Sequence, residues 1–144
     1  MLQYQALFEP ASEGGFVVTF PDFDWGVTQG DSEQEAQEMA GDALAMVIAH
    51  YIHEGRSLPA PRQRRGKRYR AVRLPALIAA KAELFRAFCG AGITKAELGR
   101  RLRIPRANVD RLFDPKHSSR LDLIEAALHA LGKQLNITVH ALVA

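Results

Sequence analysis

Apolar residues recur along this chain with two different periods. From Leu2 to Phe8 they alternate loosely with polar ones, and after Gly14-Gly15 the run Phe16-Val17-Val18-Thr19-Phe20 is β-branched and aromatic. Together these segments predict a β-hairpin. Pro21-Asp22 stops the second strand, and Trp25 to Gln29 predicts a third, which Gly30 ends. The period then lengthens. Ser32-Glu33-Gln34-Glu35 is a capping box whose acids lie at the positive end of a helix dipole. Behind it Ala36, Ala40, Ala43, Leu44, Val47, Ile48 and Tyr51 form one helical stripe, so a helix is expected to about Glu54 with Gly55 just beyond it. Arg68 to Leu74 alternates as a returning strand with Val72 and Leu74 inward. The first half thus reads as an α+β unit: a small sheet crossed by one long helix, with Phe16, Val18 and Phe20 in its core.

The second half has only the longer period. Gly55, Pro59 and Pro61 are breakers, and Arg62-Gln63-Arg64-Arg65-Gly66-Lys67-Arg68-Tyr69-Arg70 follows as a dense basic run. A solvated loop is the plainer reading of Arg62 to Arg65; a DNA-touching arm is the sharper one. This seam divides the chain into residues 1–74, with a basic loop at 56–67, and residues 75–144. Pro75 opens a helix with Leu77, Ile78, Leu84, Phe85 and Phe88 apolar, ending at Gly90 or Gly92. Thr94-Lys95-Ala96-Glu97 is a second capping box, starting a short helix to about Leu102. Pro105 takes a first-helical position, and another short helix runs to Phe113, where Asp114-Pro115 ends it. Ser119-Arg120-Leu121-Asp122 caps a further helix with Leu123, Ile124, Ala127, Leu128 and Leu131 as its stripe. Leu135 to Leu142 alternates as a lone edge strand. It either packs on its own domain or pairs with its copy in a second subunit, giving a two-fold dimer or a higher even oligomer.

Composition narrows the class. With 144 residues, 47% hydrophobic and 24% charged, the chain reads as folded. Its apolar runs are only a few residues, far short of the ~20 a membrane span needs, and Met1-Leu2-Gln3-Tyr4-Gln5 does not resemble a signal peptide. The single Cys89 lies in an apolar helical pattern and reads as an inert thiol in a reducing compartment. A cytoplasmic protein with no membrane association is expected. Charge then separates the halves. Residues 1–60 carry ten acids and one base, Arg56, for a net −9, whereas residues 61–144 carry 18 bases and 6 acids, for +12. The basic half suits a polyanion such as DNA, and the acidic half suits a basic protein. Mutual attraction of the two faces within one fold is the bland alternative.

Gly14 through Asp22, Val27-Thr28-Gln29-Gly30-Asp31-Ser32, Glu35-Ala36 and Ala40 resemble the N-terminal domain of HicB-type antitoxins over roughly the first sixty residues. The resemblance implies a partial ribonuclease H-like fold that binds and blocks HicA, a small basic mRNA-cleaving toxin. The family usually has Leu-Pro-Gly after Pro-Asp; here the residues are Phe23-Asp24-Trp25-Gly26, a bulkier loop. An acidic surface both attracts an RNA-cleaving protein and competes with its RNA. Asp22, Asp24 and Trp25 in the loop, with Asp31 and Glu33 at the helix start, are the candidate toxin contacts. Trp25 suits either an exposed anchor or the core.

Thr94–Leu102 and Pro105–Phe113 resemble the helix-turn-helix of phage-repressor-like regulators. Leu98, Leu102, Ile104, Val109 and Leu112 fall on its apolar positions, and Gly99 on the small one. Arg103 replaces the usual turn glycine, at about 1 kcal/mol for a left-handed conformation. Ile93 to Ile137 is similar to the DNA-binding domain of one HicB branch. Such a recognition helix presents its first residues to base edges, which names Arg106, Ala107 and Asn108, with Arg111 further along. Arg106 suits guanine and Asn108 adenine. Lys95, Lys116, Ser118, Ser119 and Arg120 suit phosphates.

Catalysis has little support. Metal-dependent nucleic-acid hydrolysis needs several converging carboxylates; Asp22 and Asp24 are close, but no second carboxylate set is spaced to join them. His50 and His53 have no further ligands at zinc spacing, and no phosphate loop is present. The sequence therefore predicts no enzyme, cofactor or metal, but an antitoxin that neutralises a HicA-like toxin and binds operator DNA. A stand-alone transcriptional regulator is the alternative, and a ribonuclease H-like nuclease is the remote one.

Overall fold

A computed structural model describes residues 2–142; Met1 and residues 143–144, which the expected domain limits include, lie outside it. Strands β1 (Gln5–Pro10), β2 (Phe16–Thr19), β3 (Val27–Gly30) and β4 (Tyr69–Ala71) form one antiparallel sheet in the order β3-β2-β1-β4. The register sets Phe8 opposite Val18 and Val18 opposite Thr28. Because strand side chains alternate, Ala6, Phe8 and Val18 share one face. Helix α1 (Glu33–His53) lies on it with Ala36, Ala40, Leu44, Val47, Ile48 and Tyr51 buried. Phe20 completes this core, while Phe16 is only partly buried at its margin. Gly30 makes the close approach possible: a Cβ there would lie 2.4 Å from the Ala36 backbone nitrogen.

The expected capping box forms, with its return bond shifted by one residue. Ser32 Oγ accepts the Glu35 amide at 3.1 Å, and Glu35 Oε2 accepts the amide of Asp31 at 2.7 Å. Strand β4 is shorter than the expected Arg68–Leu74. Main-chain bonding nevertheless continues past both its ends, from Phe8 N to Arg68 O at 2.7 Å and from Val72 N to Tyr4 O at 2.9 Å. Val72 is buried and Leu74 partly so, the inward placement their alternation predicted.

Helix α2 (Ala76–Ala91) follows Pro75 and ends at Gly92. Then come α3 (Lys95–Leu102), α4 (Arg106–Phe113) and α5 (Leu121–Ala130). Thr94 Oγ1 caps α3 by accepting the Glu97 amide at 3.1 Å. Arg103 takes φ 56, and amide bonds from Arg103 to Arg100 O and from Ile104 to Gly99 O satisfy the helix end. Gly99 is small where α3 meets the turn: a Cβ there would sit 3.0 Å from Ile104 O and 3.4 Å from Val109 Cγ2. Leu98, Val109, Leu112, Phe113, Ile124, Ala127 and Leu128 pack with Leu84 and Phe85 of α2, and the Phe85 and Phe113 rings meet edge to face at 5.6 Å. The buried residues of the two halves join into one cluster.

Two features of the single chain differ from expectation. Residues 133–142 have no strand, and Ile137, Val139 and Leu142 are exposed. A strand needs a ladder partner, and the chain offers none beside this segment. Helix α5 starts after Arg120 without a side-chain cap, since Ser119 Oγ is bonded elsewhere.

Candidate functional site

The acidic surface is built from the β2–β3 loop and the start of α1. Phe23 turns inward, its ring tilted against Tyr4 at 4.8 Å and meeting Tyr51 edge-on at 5.1 Å. The bulkier loop is therefore anchored by an added aromatic, which leaves Asp24 and Trp25 outside. Trp25 is 43% exposed and rests edge-on against His50 at 5.1 Å, which settles its two readings in favour of the exposed one. Asp24 Oδ1 accepts the Tyr51 hydroxyl at 2.7 Å, and its Oδ2 accepts Arg56 Nη2 at 2.8 Å. The Tyr51 hydroxyl and then the Arg56 guanidinium hold the Asp24 carboxyl below the usual carboxylate range. Asp31 is exposed, as is Glu33, which pairs with Arg70 at 2.9 Å.

Asp22 departs from expectation. Its side chain is only 1% exposed: Oδ1 takes Arg64 Nη1 at 2.8 Å and Oδ2 faces the Arg62 amide at 3.4 Å. A buried carboxylate needs a countercharge, and the basic run supplies it by folding back onto the sheet. Gln5 Oε1 also accepts the Arg64 amide at 2.6 Å. Asp22 is therefore no partner-facing residue, and Arg64 is no solvated one.

The basic surface gathers around α4. Arg106 and Ala107 are exposed at its first turn, and Asn108, half-buried, accepts Arg111 Nη1 on its Oδ1 at 3.1 Å. Asp110, on the same helix, takes Lys95 Nζ at 2.8 Å and lies 4.0 Å from Arg106 Nε. Lys116 and Ser118 are exposed in the following loop, and Arg120 pairs with Asp122 at 2.8 Å while remaining exposed. Arg100 and Arg101 share Glu97, whose carboxyl they hold low, Arg100 contributing more.

Ser119, expected to meet phosphate, instead faces inward to a residue that its own neighbours in the sequence do not point to. Lys81 Nζ donates to Arg111 O at 2.9 Å, Asp114 O at 2.7 Å, His117 O at 2.6 Å and Ser119 Oγ at 2.8 Å. One signal was available: Lys81 falls in the apolar stripe of Leu77, Leu84, Phe85 and Phe88.

Among the described residues, no group of three or more His, Cys, Asp or Glu is placed to hold a metal ion, and no helix is long and apolar enough to cross a membrane. Asp22 and Asp24 diverge into separate ion pairs, so these two carboxylates do not converge.

Comparison with known proteins bears on the whole chain. Residues 3–83 match the model of a family described as the HicB_like antitoxin of bacterial toxin-antitoxin systems. Antitoxin HicB 1 of Photorhabdus laumondii is 35% identical over 96% of this chain and 87% of its own length. Antitoxin HicB of Escherichia coli K12 is 33% identical over 96% and 99%. Antitoxin HicB of Pseudomonas fluorescens is 38% identical over 78% and 77%. A chain of the Toxin-Antitoxin complex from Streptococcus pneumoniae gives a TM-score of 0.45 at 19% identity, covering 74% of this chain and 92% of that one; a likeness that loose carries no weight. With the match over residues 3–83 and relatives of this identity along nearly its full length, the chain belongs to the HicB-like antitoxin family of bacterial toxin-antitoxin systems.

Proposed function

We propose that this antitoxin neutralises a HicA-like, mRNA-cleaving toxin with its acidic half and represses its own operon with its basic half. In this reading residues 1–74 are the partial ribonuclease H-like unit. The toxin meets Asp24, Trp25, Asp31 and Glu33, four residues that stand exposed around the β2–β3 loop and the start of α1. Trp25 is the anchor, and the acids steer a basic partner and compete with its RNA. Asp22 acts from beneath by fixing the loop.

Helices α3 and α4 act as the helix-turn-helix, and α4 enters the major groove of the operator. Arg106, Ala107 and Asn108 address base edges, while Lys95, Arg111, Lys116, Ser118 and Arg120 address phosphates. Two subunits joined through residues 135–142, of which Ile137, Val139 and Leu142 are exposed in the single chain, would match a two-fold operator. The protein works in the cytoplasm, as a regulator rather than an enzyme. One observation carries the reading: Asp24, Asp31 and Glu33 stand exposed beside Trp25 on the sheet unit, while Arg106, Lys116 and Arg120 stand exposed at α4 and the loop after it.

The test measures binding of the purified chain to a duplex from upstream of its reading frame across a salt series. Arg106→Ala is expected to relax preference at one base position at about 1–3 kcal/mol while leaving a steep salt slope. Binding no tighter than to random duplex would overturn the repressor half. For the acidic half, Trp25→Ala should weaken capture of the small basic protein encoded beside it by about 2 kcal/mol. Unchanged capture would remove Trp25 from the interface.

A further inference from the structure

Lys81 is the one charged side chain among the described residues that is fully buried, at 0% exposure. It lies in the middle of α2, where an apolar residue would satisfy packing alone. Burial pushes its pKa below the usual lysine range, opposed by Asp114. Something must offset that cost, and the geometry around Nζ does so. Arg111 O lies in the last turn of α4, where it also takes the Asp114 amide at 3.3 Å, and Asp114 O lies at its C-cap; both sit at the negative end of the helix dipole. His117 O and Ser119 Oγ bring in the following loop. Four acceptors at 2.6–2.9 Å thus surround a group with three protons.

We propose that Lys81 is a positioning residue for DNA binding: its ammonium gathers the end of α4 and the loop 114–119 around one buried point, so that the cations between its acceptors face outward together. The alternation in the loop supports this. Residues 117 and 119 give acceptors inward, and Lys116, Ser118 and Arg120 are exposed between and beside them. Apart from Lys81 this segment's hydrogen bonds are local: Asp114 N to Asp110 O at 3.1 Å and to Arg111 O at 3.3 Å, His117 N to Asp114 O at 3.1 Å and Lys116 N to Asp114 Oδ1 at 3.0 Å. Those bonds continue α4 and shape a turn without reaching α2. Lys81 ties it to α2, and α2 is held at its other side by Glu83, which accepts the amide of Leu2.

The proposal rests on the DNA-binding reading, and its test separates the two. Lys81→Met keeps an unbranched side chain, one atom shorter, and removes the donors. The wild-type chain and this variant are titrated with the upstream duplex across a salt series, after circular dichroism confirms that both are folded. A merely structural defect lowers the active fraction and leaves the slope of log affinity against log salt unchanged. Loss of position lowers the slope by about 0.9 for each phosphate that is no longer neutralised, so a drop of about 2 is expected from Lys116 and Arg120. Chemical rescue sharpens the result. Lys81→Cys in a Cys89→Ala background, alkylated with bromoethylamine while unfolded and then refolded, regains an ammonium at nearly the same reach and should regain the slope. A folded Met variant with wild-type affinity and slope overturns the proposal alone; a wild-type chain that ignores the duplex overturns both readings. Should Lys81→Met not fold, Ser119→Ala carries the test: it removes one acceptor and leaves three carbonyls. A slope lower by about 0.9, equivalent to one phosphate, supports the proposal, and an unchanged slope overturns it.

Discussion

Replacing Gly30 by alanine isolates a tight joint between the sheet and α1. The added methyl carbon would lie 2.4 Å from the nitrogen and 2.6 Å from the Cα of Ala36, and 2.9 Å from the carbonyl carbon of Glu35. All three are main-chain atoms in the first turn of α1, and Ala36 is fully buried, so no flexible side chain can step aside. Gly30 does not have a positive φ, so alanine can adopt its backbone angles and the cost is steric. Non-bonded heavy atoms settle near 3.5–4.0 Å, so the helix start must retreat from β3 by about 1 Å, and a gap of that size forfeits a quarter to a half of the dispersion energy across it. Overpacked sites cost typically about 1–3 kcal/mol, and rigid backbone on the far side puts Gly30→Ala at about 3. Restricting the unfolded chain returns about 0.4–1 kcal/mol, leaving a net loss of about 2–3. Gly14→Ala is the control. Its φ is +96 with nothing within 4 Å of the new carbon, so it carries backbone strain without a clash, about 1–2 kcal/mol before the same return. Urea unfolding followed by circular dichroism and by Trp25 fluorescence measures both variants. A smaller loss at Gly30 than at Gly14 would refute the reasoning, since it would mean that α1 moves off the sheet without penalty.

Other outcomes follow from the ion pairs. Asp24 titrates below its ordinary range in the folded chain, so its contribution to stability is present above the unfolded aspartate pKa of about 3.9 and is lost as pH falls through the lower folded value. Asp24→Asn should therefore flatten the dependence of the urea midpoint on pH below about 4; an unaltered acid limb would exclude this carboxylate as its source. Asp22→Asn removes the charge facing Arg64 and should destabilise the chain by about 1–3 kcal/mol while leaving Trp25 exposed. Denaturant midpoints and quenching of Trp25 by iodide read the two effects separately.

Much of this architecture was legible because it is local. The caps at Ser32 and Thr94 lie within four residues, and each hydroxyl accepts the expected amide three residues on. Arg103 took its left-handed angle in the turn where the pattern required one. The candidate DNA-facing residues Arg106 and Ala107 stand exposed because a short amphipathic helix settles which face is buried. What escaped was set by partners far away in sequence. Asp22 meets Arg64, 42 positions on, and nothing around Asp22 announces that its loop will be covered. Ser119 reads as a cap because Lys81 lies 38 positions earlier, although a lysine inside an apolar stripe is itself a hint. Residues 135–142 have strand periodicity and no strand, since periodicity describes a face and cannot supply a neighbour.

The segment between α1 and β4 has no regular secondary structure, yet it is fastened repeatedly. Arg56 lies over the Tyr51 ring, Leu58 is buried, Pro59 O accepts the Tyr4 hydroxyl at 2.7 Å, and Arg64 meets both Gln5 and Asp22. Proteases cut where a stretch of backbone can be drawn out into their cleft, and at the fastened points this strap offers no such slack. Scission between Arg62 and Arg65 must then wait for the Asp22–Arg64 pair to open. The rate at which trypsin cuts after Arg64, followed through the fragments that this cut releases, becomes a clock for that opening, and any partner that presses on the β2–β3 loop would slow it from a distance.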